Sequence, residues 1–300
     1  VTDHGVIPQE CSRVVFLKKV TMISVNMQAV DIRHFPDRTQ LLNISRFAID
    51  NCMSFTWYYE NDEELVTLMF LVKHFDDVCP GRDKVLYMPY VPNARFDRTK
   101  SSEEVFTLKY FCEIINSLNF KQVIILDPHS NVTPALLDRV VVKSPRSIIF
   151  DVVEKLGFTE KDYVYFPDEG ACKRYSDLFP FKKNTLIGHK VRDWETGKIQ
   201  GLRISSPDGI EFEDGHFMGC RVIMIDDIIS YGGTLAYSAD ELKKLGFEHI
   251  YAYATHTENS ILDPEKGTLL KRLEDGTVDH IYTTCSTYTG KHDKITAFTA

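Results

Sequence analysis

The sequence predicts an α/β protein of two successive units, each a mainly parallel sheet flanked by helices. Three observations lead there. Short β-rich runs alternate with helical stretches almost throughout the 300 residues. Their spacing suits strand–helix–strand crossovers, which are right-handed and parallel. Two strand-like runs in the second half end in polar, ligand-type residues, where open parallel sheets bind their ligands.

In order, Met22 opens the first strand-like run, and residues 1–21 read as an N-terminal extension. "KVLYMPY" (84–90) and "QVIILD" (122–127) read as buried strands. The stretch 102–120 between them reads as an amphipathic helix with Phe106, Tyr110, Ile114 and Leu118 on one face. "VKSPRS" breaks the pattern near 144–147, dividing the chain into domains 22–145 and 146–300. Beyond it, "DYVYFPDEG" and "CRVIMIDD" are strands, "GTLAYSADELKKLG" is a helix closed by Gly246, and "HIYAYATH" is a further strand. "HKVRDWETGKIQG" (189–201) is polar and lacks helical periodicity, so it reads as a hairpin or mobile loop.

With 43% apolar residues the chain can build full cores, and its net charge of -8 excludes a general affinity for nucleic acid or anionic membrane. No apolar run reaches membrane-spanning length. Seven scattered cysteines without a CxxC pair fit neither a disulfide framework nor a zinc knuckle, and predict a reducing, cytoplasmic setting.

The chemistry concentrates in "VIMIDDIISYGGT" (222–234). Asp226 and Asp227 stand at the carboxyl edge of a strand, where paired carboxylates can accept from vicinal sugar hydroxyls. Ser230, Tyr231, Gly232, Gly233 and Thr234 then open a helix near Leu235. Two glycines let backbone N–H groups turn inward, Thr234 adds a hydroxyl, and the helix dipole favours an anion. The sugar meets the carboxylates and its phosphate meets the loop. The competing reading is a strand-to-helix turn whose aspartates cap the helix.

This stretch resembles the phosphoribosyl-pyrophosphate loop shared by type I phosphoribosyltransferases and ribose-phosphate diphosphokinases. Four further blocks resemble the diphosphokinases: "RHFPDRTQL" (33–41), "YMPYVPNARFDR" (87–98), "ILDPHSNVTPALL" (125–137) and "FPDEGACKRY" (166–175). They occur in that family's order over about residues 22 to 285, and the third is closest to phage-type members that accompany nicotinamide salvage genes. The resemblance implies two tandem type I phosphoribosyltransferase-like domains. It implies transfer of the β,γ-diphosphate of ATP to the anomeric hydroxyl of a ribose 5-phosphate unit, with magnesium as cofactor and AMP released. It further implies His129 and Asp168 as magnesium ligands, directly or through water, with His129 as a donor to a phosphate oxygen the alternative. It implies Lys190 and Arg192 as catalytic cations on a mobile loop, a solvated surface hairpin being the alternative, and Arg95, Phe96 and Asp97 near ATP. Phe35 and Asp37 would be lent to ATP by a neighbouring subunit of a homo-oligomer, a dimer or hexamer in the host cytoplasm if phage-encoded; a core role for Phe35 is the alternative.

The chain departs from the family pattern at Arg38 and Thr39, at Phe96, at Glu169, and at Ser230 and Tyr231 where the family's loop begins with Asp-Thr or Asp-Gly. The last change alters the part facing the acceptor's 5′ end. It points to a 5′-substituted acceptor, ADP-ribose, as in the related ADP-ribose pyrophosphate synthetases, with Tyr231 stacking on the added group; ribose 5-phosphate is the alternative. A catalytically silent regulatory homologue and a phosphoribosyltransferase are the rival functions.

Overall fold

The computed structural model describes residues 22–44, 52–179, 184–192 and 199–300, with backbone only for 190–192, 199 and 200. The extension read over residues 1–21 lies outside the described residues. The first half runs β1 (Ile23–Val25), β2 (Gln28–Ala29), β3 (Asp31–His34), β4 (Gln40–Asn43), β5 (Cys52–Trp57), α1 (Glu63–Val78), β6 (Asp83–Tyr87), α2 (Thr107–Ser117), β7 (Gln122–Leu126), α3 (Val132–Leu136) and β8 (Val140–Lys143). The second runs α4 (Arg146–Leu156), β9 (Tyr163–Phe166), α5 (Glu169–Tyr175), β10 (Thr185–Arg192), β11 (Ile199–Ser205), β12 (Arg221–Ile229), α6 (Gly233–Lys244), β13 (His249–Thr257), α7 (Thr268–Glu274), β14 (His280–Thr284) and β15 (Ile295–Phe298).

Each half is built on one main sheet, and the first also carries the two-stranded β3–β4 sheet. The first has the order β2-β1-β5-β6-β7-β8, parallel from β5 to β8. The second has the order β11-β10-β9-β12-β13-β14-β15, parallel except for the edge pair β10 and β11. β5 shows how sequence sets the layers: Met53, Phe55 and Trp57 alternate inward and are fully buried. Each such side chain contributes about 1.5–3 kcal/mol of burial. In the second half, Ile148, Ile149 and Val152 of α4 pack with Val164, Phe166, Ile223 and Ile225.

Two expectations need correction. The helix predicted over 102–120 starts at Thr107, and its buried face is Leu108, Phe111, Cys112 and Ile115, leaving Tyr110 about half exposed. A spacing of four drifts around a 3.6-residue helix, whereas the i, i+3, i+4, i+7 set forms a true stripe. The strand read as "CRVIMIDD", ending at Asp227, continues through Ile229, because β13 keeps pairing with it to Thr257. The neighbour on the other side, β9, pairs only as far as Met224. Asp226 and Asp227 thus lie on a strand end open along one side. Gly246 follows α6 at φ +99°, as the sequence indicates. At the described ends of the 189–201 stretch, β10 and β11 pair antiparallel, with Lys190 opposite Leu202 and Arg192 opposite Ile199; residues 193–198 lie outside the described residues.

Six cysteines, at 52, 79, 112, 172, 220 and 285, are free thiols. Among the described residues no helix is long and apolar enough to cross a membrane.

Candidate active site

The two sheets meet through the turn that follows β7. Asp127 there takes the left-handed conformation, φ +43°, which aspartate tolerates better than most residues. The second half grips this turn from three elements. From α5, Tyr175 donates its hydroxyl to Asp127 Oδ2 at 2.7 Å and Arg174 donates to the His129 carbonyl. From β13, Thr255 Oγ1 donates to the same Asp127 oxygen, and His256 Nε2 lies 3.1 Å from the Leu126 carbonyl. From β12, Asp227 Oδ2 lies 2.6 Å from His129 Nδ1 and Oδ1 lies 3.3 Å from Arg174.

Against this seam lies a cavity of about 800 Å³, lined by Arg95, His129, Asp168, Arg174, Asp226, Asp227 and residues 228–235. The predicted sugar, phosphate-loop and metal candidates are therefore brought together. Gly232 sits at φ +80° as the N-cap of α6, and an added Cβ would fall 2.3 Å from Leu269 Cβ. The α7 segment backs the loop from behind, with Thr268 donating its N–H to the Tyr231 carbonyl at 2.9 Å. The Tyr231 ring is 39% exposed, with Lys266 Nζ 5.9 Å from its centroid, so it is open to a ligand. Asp168 caps α5 by accepting from Ala171 N at 3.0 Å.

The two aspartates differ in charge. Burial opposes ionisation of Asp227, but the hydrogen bond to His129 and the charges of His129 and Arg174 bring its pKa down to about 2. Asp226 is pushed well above the usual carboxylate range by burial and then by the Asp227 charge. The pair thus offers one carboxylate and one carboxyl to a ligand. The Asp227 hydrogen bond in turn raises His129, against burial. Burial raises Asp127 to about 6, opposed by its bonds from Thr255 and Tyr175.

Fully buried His256 is lowered to about 4, chiefly by desolvation. Its Nε2 faces carbonyls and so carries the proton; Nδ1 accepts from Ser286 Oγ at 2.7 Å. The folded pKa lies below the unfolded value near 6.5, so the unfolded chain takes up a proton first and stability is lost as pH falls from about 6.5 to about 4. The stability advantage of the protein over its His256→Gln variant is expected to shrink across that window by about 3 kcal/mol. Urea titrations at pH 7 and 4.5 check this; an advantage that is constant or grows in acid would contradict it.

Other candidates fall outside the cavity lining. Phe96 and Asp97 follow Arg95 but do not line it. Phe35 and Asp37 lie at the turn of the β3–β4 hairpin, where Asp37 Oδ1 accepts from Thr39 N at 2.9 Å. Phe35 is 50% exposed, which removes the core alternative. Lys190 and Arg192 belong to β10, and their side chains lie outside the described residues. Sequence reasoning passed over Arg174, Asp127, His256 and Glu258. Arg174 lay within a quoted block, and Glu258 directly follows a strand beside β12, so the strand-end rule could have found both.

The site does not form a closed metal cage: among the described residues no group of three or more His, Cys, Asp or Glu side chains could hold an ion. A magnesium bound in this cavity would take most of its ligands from water and substrate phosphates, with Asp168 and His129 on the lining.

Fold and site together define a class: two tandem type I phosphoribosyltransferase-like domains whose strand ends converge on one polar cavity. A phosphoribosylpyrophosphate synthetase from Mycobacterium smegmatis superposes with a TM-score of 0.69 over 90% of this chain and 85% of its own, at 17% identity. In sequence the chain is similar to the ribose-phosphate pyrophosphokinase of Thermococcus kodakarensis, 28% identical over 232 residues that cover 76% of this chain and 77% of that protein. The corresponding protein of Pyrococcus abyssi is 24% identical over 237 residues, 77% of each. No family model matches the chain.

Proposed function

We propose that this chain is a diphosphotransferase that moves the β,γ-diphosphate of ATP to the anomeric C1 hydroxyl of a 5-phosphoribosyl acceptor and releases AMP. The observation that carries this reading is the convergence of Asp226, Asp227 and the 230–234 loop with His129 and Asp168 in one cavity. The names of the relatives point the same way. In this reading 22–145 and 146–300 are the two domains. Asp226 and Asp227 accept from the ribose hydroxyls, and the N–H groups opening α6 receive the 5′-phosphate. Such a reaction asks the protein for alignment and charge stabilisation rather than covalent chemistry. Magnesium, when bound with ATP near His129 and Asp168, supplies charge neutralisation of the polyphosphate. Lys190 and Arg192 close over the transferred phosphates, and Arg95 lies near the nucleotide, with Phe96 and Asp97 beside it. Exposed Phe35 and Asp37 serve the ATP of a neighbouring copy in a homo-oligomer.

Two acceptors satisfy this chemistry. ADP-ribose is favoured by the loop itself, where Ser230 and an open Tyr231 replace an acidic start. Ribose 5-phosphate is the second reading, favoured by the names of the relatives. Incubation with ATP, magnesium and each acceptor, followed by chromatography of AMP, is expected to show release with ADP-ribose. Release with ribose 5-phosphate alone would overturn the acceptor but leave the reaction; release with neither would overturn both.

A further inference from the structure

Glu258, the residue after β13, is held beside the phosphate loop. Its N–H donates to the Ile229 carbonyl at 2.8 Å. One carboxylate oxygen lies 2.8 Å from Arg95, and the other accepts from Ser230 Oγ at 2.6 Å and Ser260 Oγ at 3.1 Å. Ser230 and Arg95 line the main cavity. Glu258 instead lines a second cavity of about 410 Å³, together with Tyr59, Glu60, Tyr90, Asn259 and Ser260. The ion pair and Ser230 are thus the wall between the two spaces.

A carboxylate at the mouth of an anion loop discriminates by charge. A terminal phosphate monoester gathers nearly two negative charges on one phosphorus near neutrality, because its second pKa is about 6; in a diphosphate diester the same phosphorus carries one, and the second charge lies on the next phosphate. Arg95 offsets the Glu258 charge only in part, since its side chain is half exposed and the pair is solvent-screened. The second cavity offers room for what the ester carries. The Tyr59 and Tyr90 rings stand 6.0 Å apart, tilted by 36°, and are fixed from behind: Tyr90 edge-on against His256, Tyr59 through its hydroxyl to Asp62. Two aromatic faces rimmed by carboxylates suit a nucleobase with an amino group to donate, and Arg95 at the wall can meet the second phosphate that leads to it.

We infer that Glu258 sets acceptor specificity: it disfavours a terminal 5′-phosphate at residues 230–234, and directs the second group of an esterified phosphate into the notch lined by Tyr59 and Tyr90. The inference rests on the reading of 230–234 as the acceptor's phosphate site.

The test is the ratio of kcat/KM for ADP-ribose to that for ribose 5-phosphate, from initial rates of AMP release, in the full chain and its variants. Glu258→Gln is expected to lower this ratio about tenfold, the effect of one charge interaction at several ångströms in a partly screened site. Glu258→Asp, which keeps the charge, retains the preference. Tyr59→Ala lowers the ratio by a similar factor through loss of ring contact. Calorimetry with ribose 5-phosphate alone gives a readout without turnover: Glu258→Gln binds it more tightly than the parent. A ratio within twofold of the parent in Glu258→Gln, or an equal fall in Glu258→Asp, overturns the inference while leaving the reaction standing. No AMP from the parent with either acceptor overturns the functional reading and this inference together.

Discussion

Asp227→Ala is expected to lower kcat for AMP release by about 10²–10³-fold and to destabilise the fold by about 3–5 kcal/mol. The carboxylate works in two directions. Toward the cavity it is the ionised member of the aspartate pair, and in the proposed function it accepts from a ribose hydroxyl. Toward the protein it is the shared partner of His129, at 2.6 Å, and Arg174, at 3.3 Å. Its removal leaves the Arg174 guanidinium largely buried without its counter-charge, which is costlier than the loss of an exposed pair. Asp227→Asn separates the two roles: the amide keeps the shape and one acceptor, so melting is expected to recover more than turnover does. The raised His129 pKa should fall in that variant, because its first cause is the Asp227 hydrogen bond. Thermal melts, initial rates and histidine side-chain NMR check the three parts. Turnover within threefold of the parent in Asp227→Ala would remove Asp227 from the chemistry.

Lys190→Ala is expected to lower kcat by about 10²–10³-fold, with a smaller change in the KM for ATP. In the proposed reaction charge moves onto the bridging and equatorial oxygens of the transferred group, and a cation that meets them there stabilises the transition state more than bound ATP. Lys190 sits in the antiparallel pair at the sheet edge, paired through its backbone with Leu202. An edge strand can carry a cation toward a ligand without disturbing the sheet behind it. Because Lys190 and Arg192 would act on the same charge, the double variant should lose less than the product of the single losses. Steady-state AMP release from a preparation free of other kinases measures this, and an unchanged rate in Lys190→Ala would sink the assignment.

What the sequence made legible was local. The β12–loop–α6 unit carries its instructions in adjacent residues: an apolar run, two carboxylates, two glycines and a helical period, and the sheet order around it follows from short parallel crossovers. The seam was not legible, because its contacts join residues far apart in the chain, as Asp127 with Thr255 and His129 with Asp227 do. No periodicity reports that a tyrosine on α5 will donate to an aspartate at the end of β7. The true length of β12 was hidden for a related reason. Aspartates within a run read as its end, and only the continued pairing with β13 keeps them in the strand. The face of α2 was misplaced by counting fours where the helix turns in 3.6.

The turn after β7 has one more implication. The bonds that dock the first half onto the second are the bonds that shape the cavity, so the protein cannot loosen at its waist and remain competent. A ligand that spans both halves tightens that waist by its own binding energy, and warming that parts them would abolish turnover before either hydrophobic core lets go.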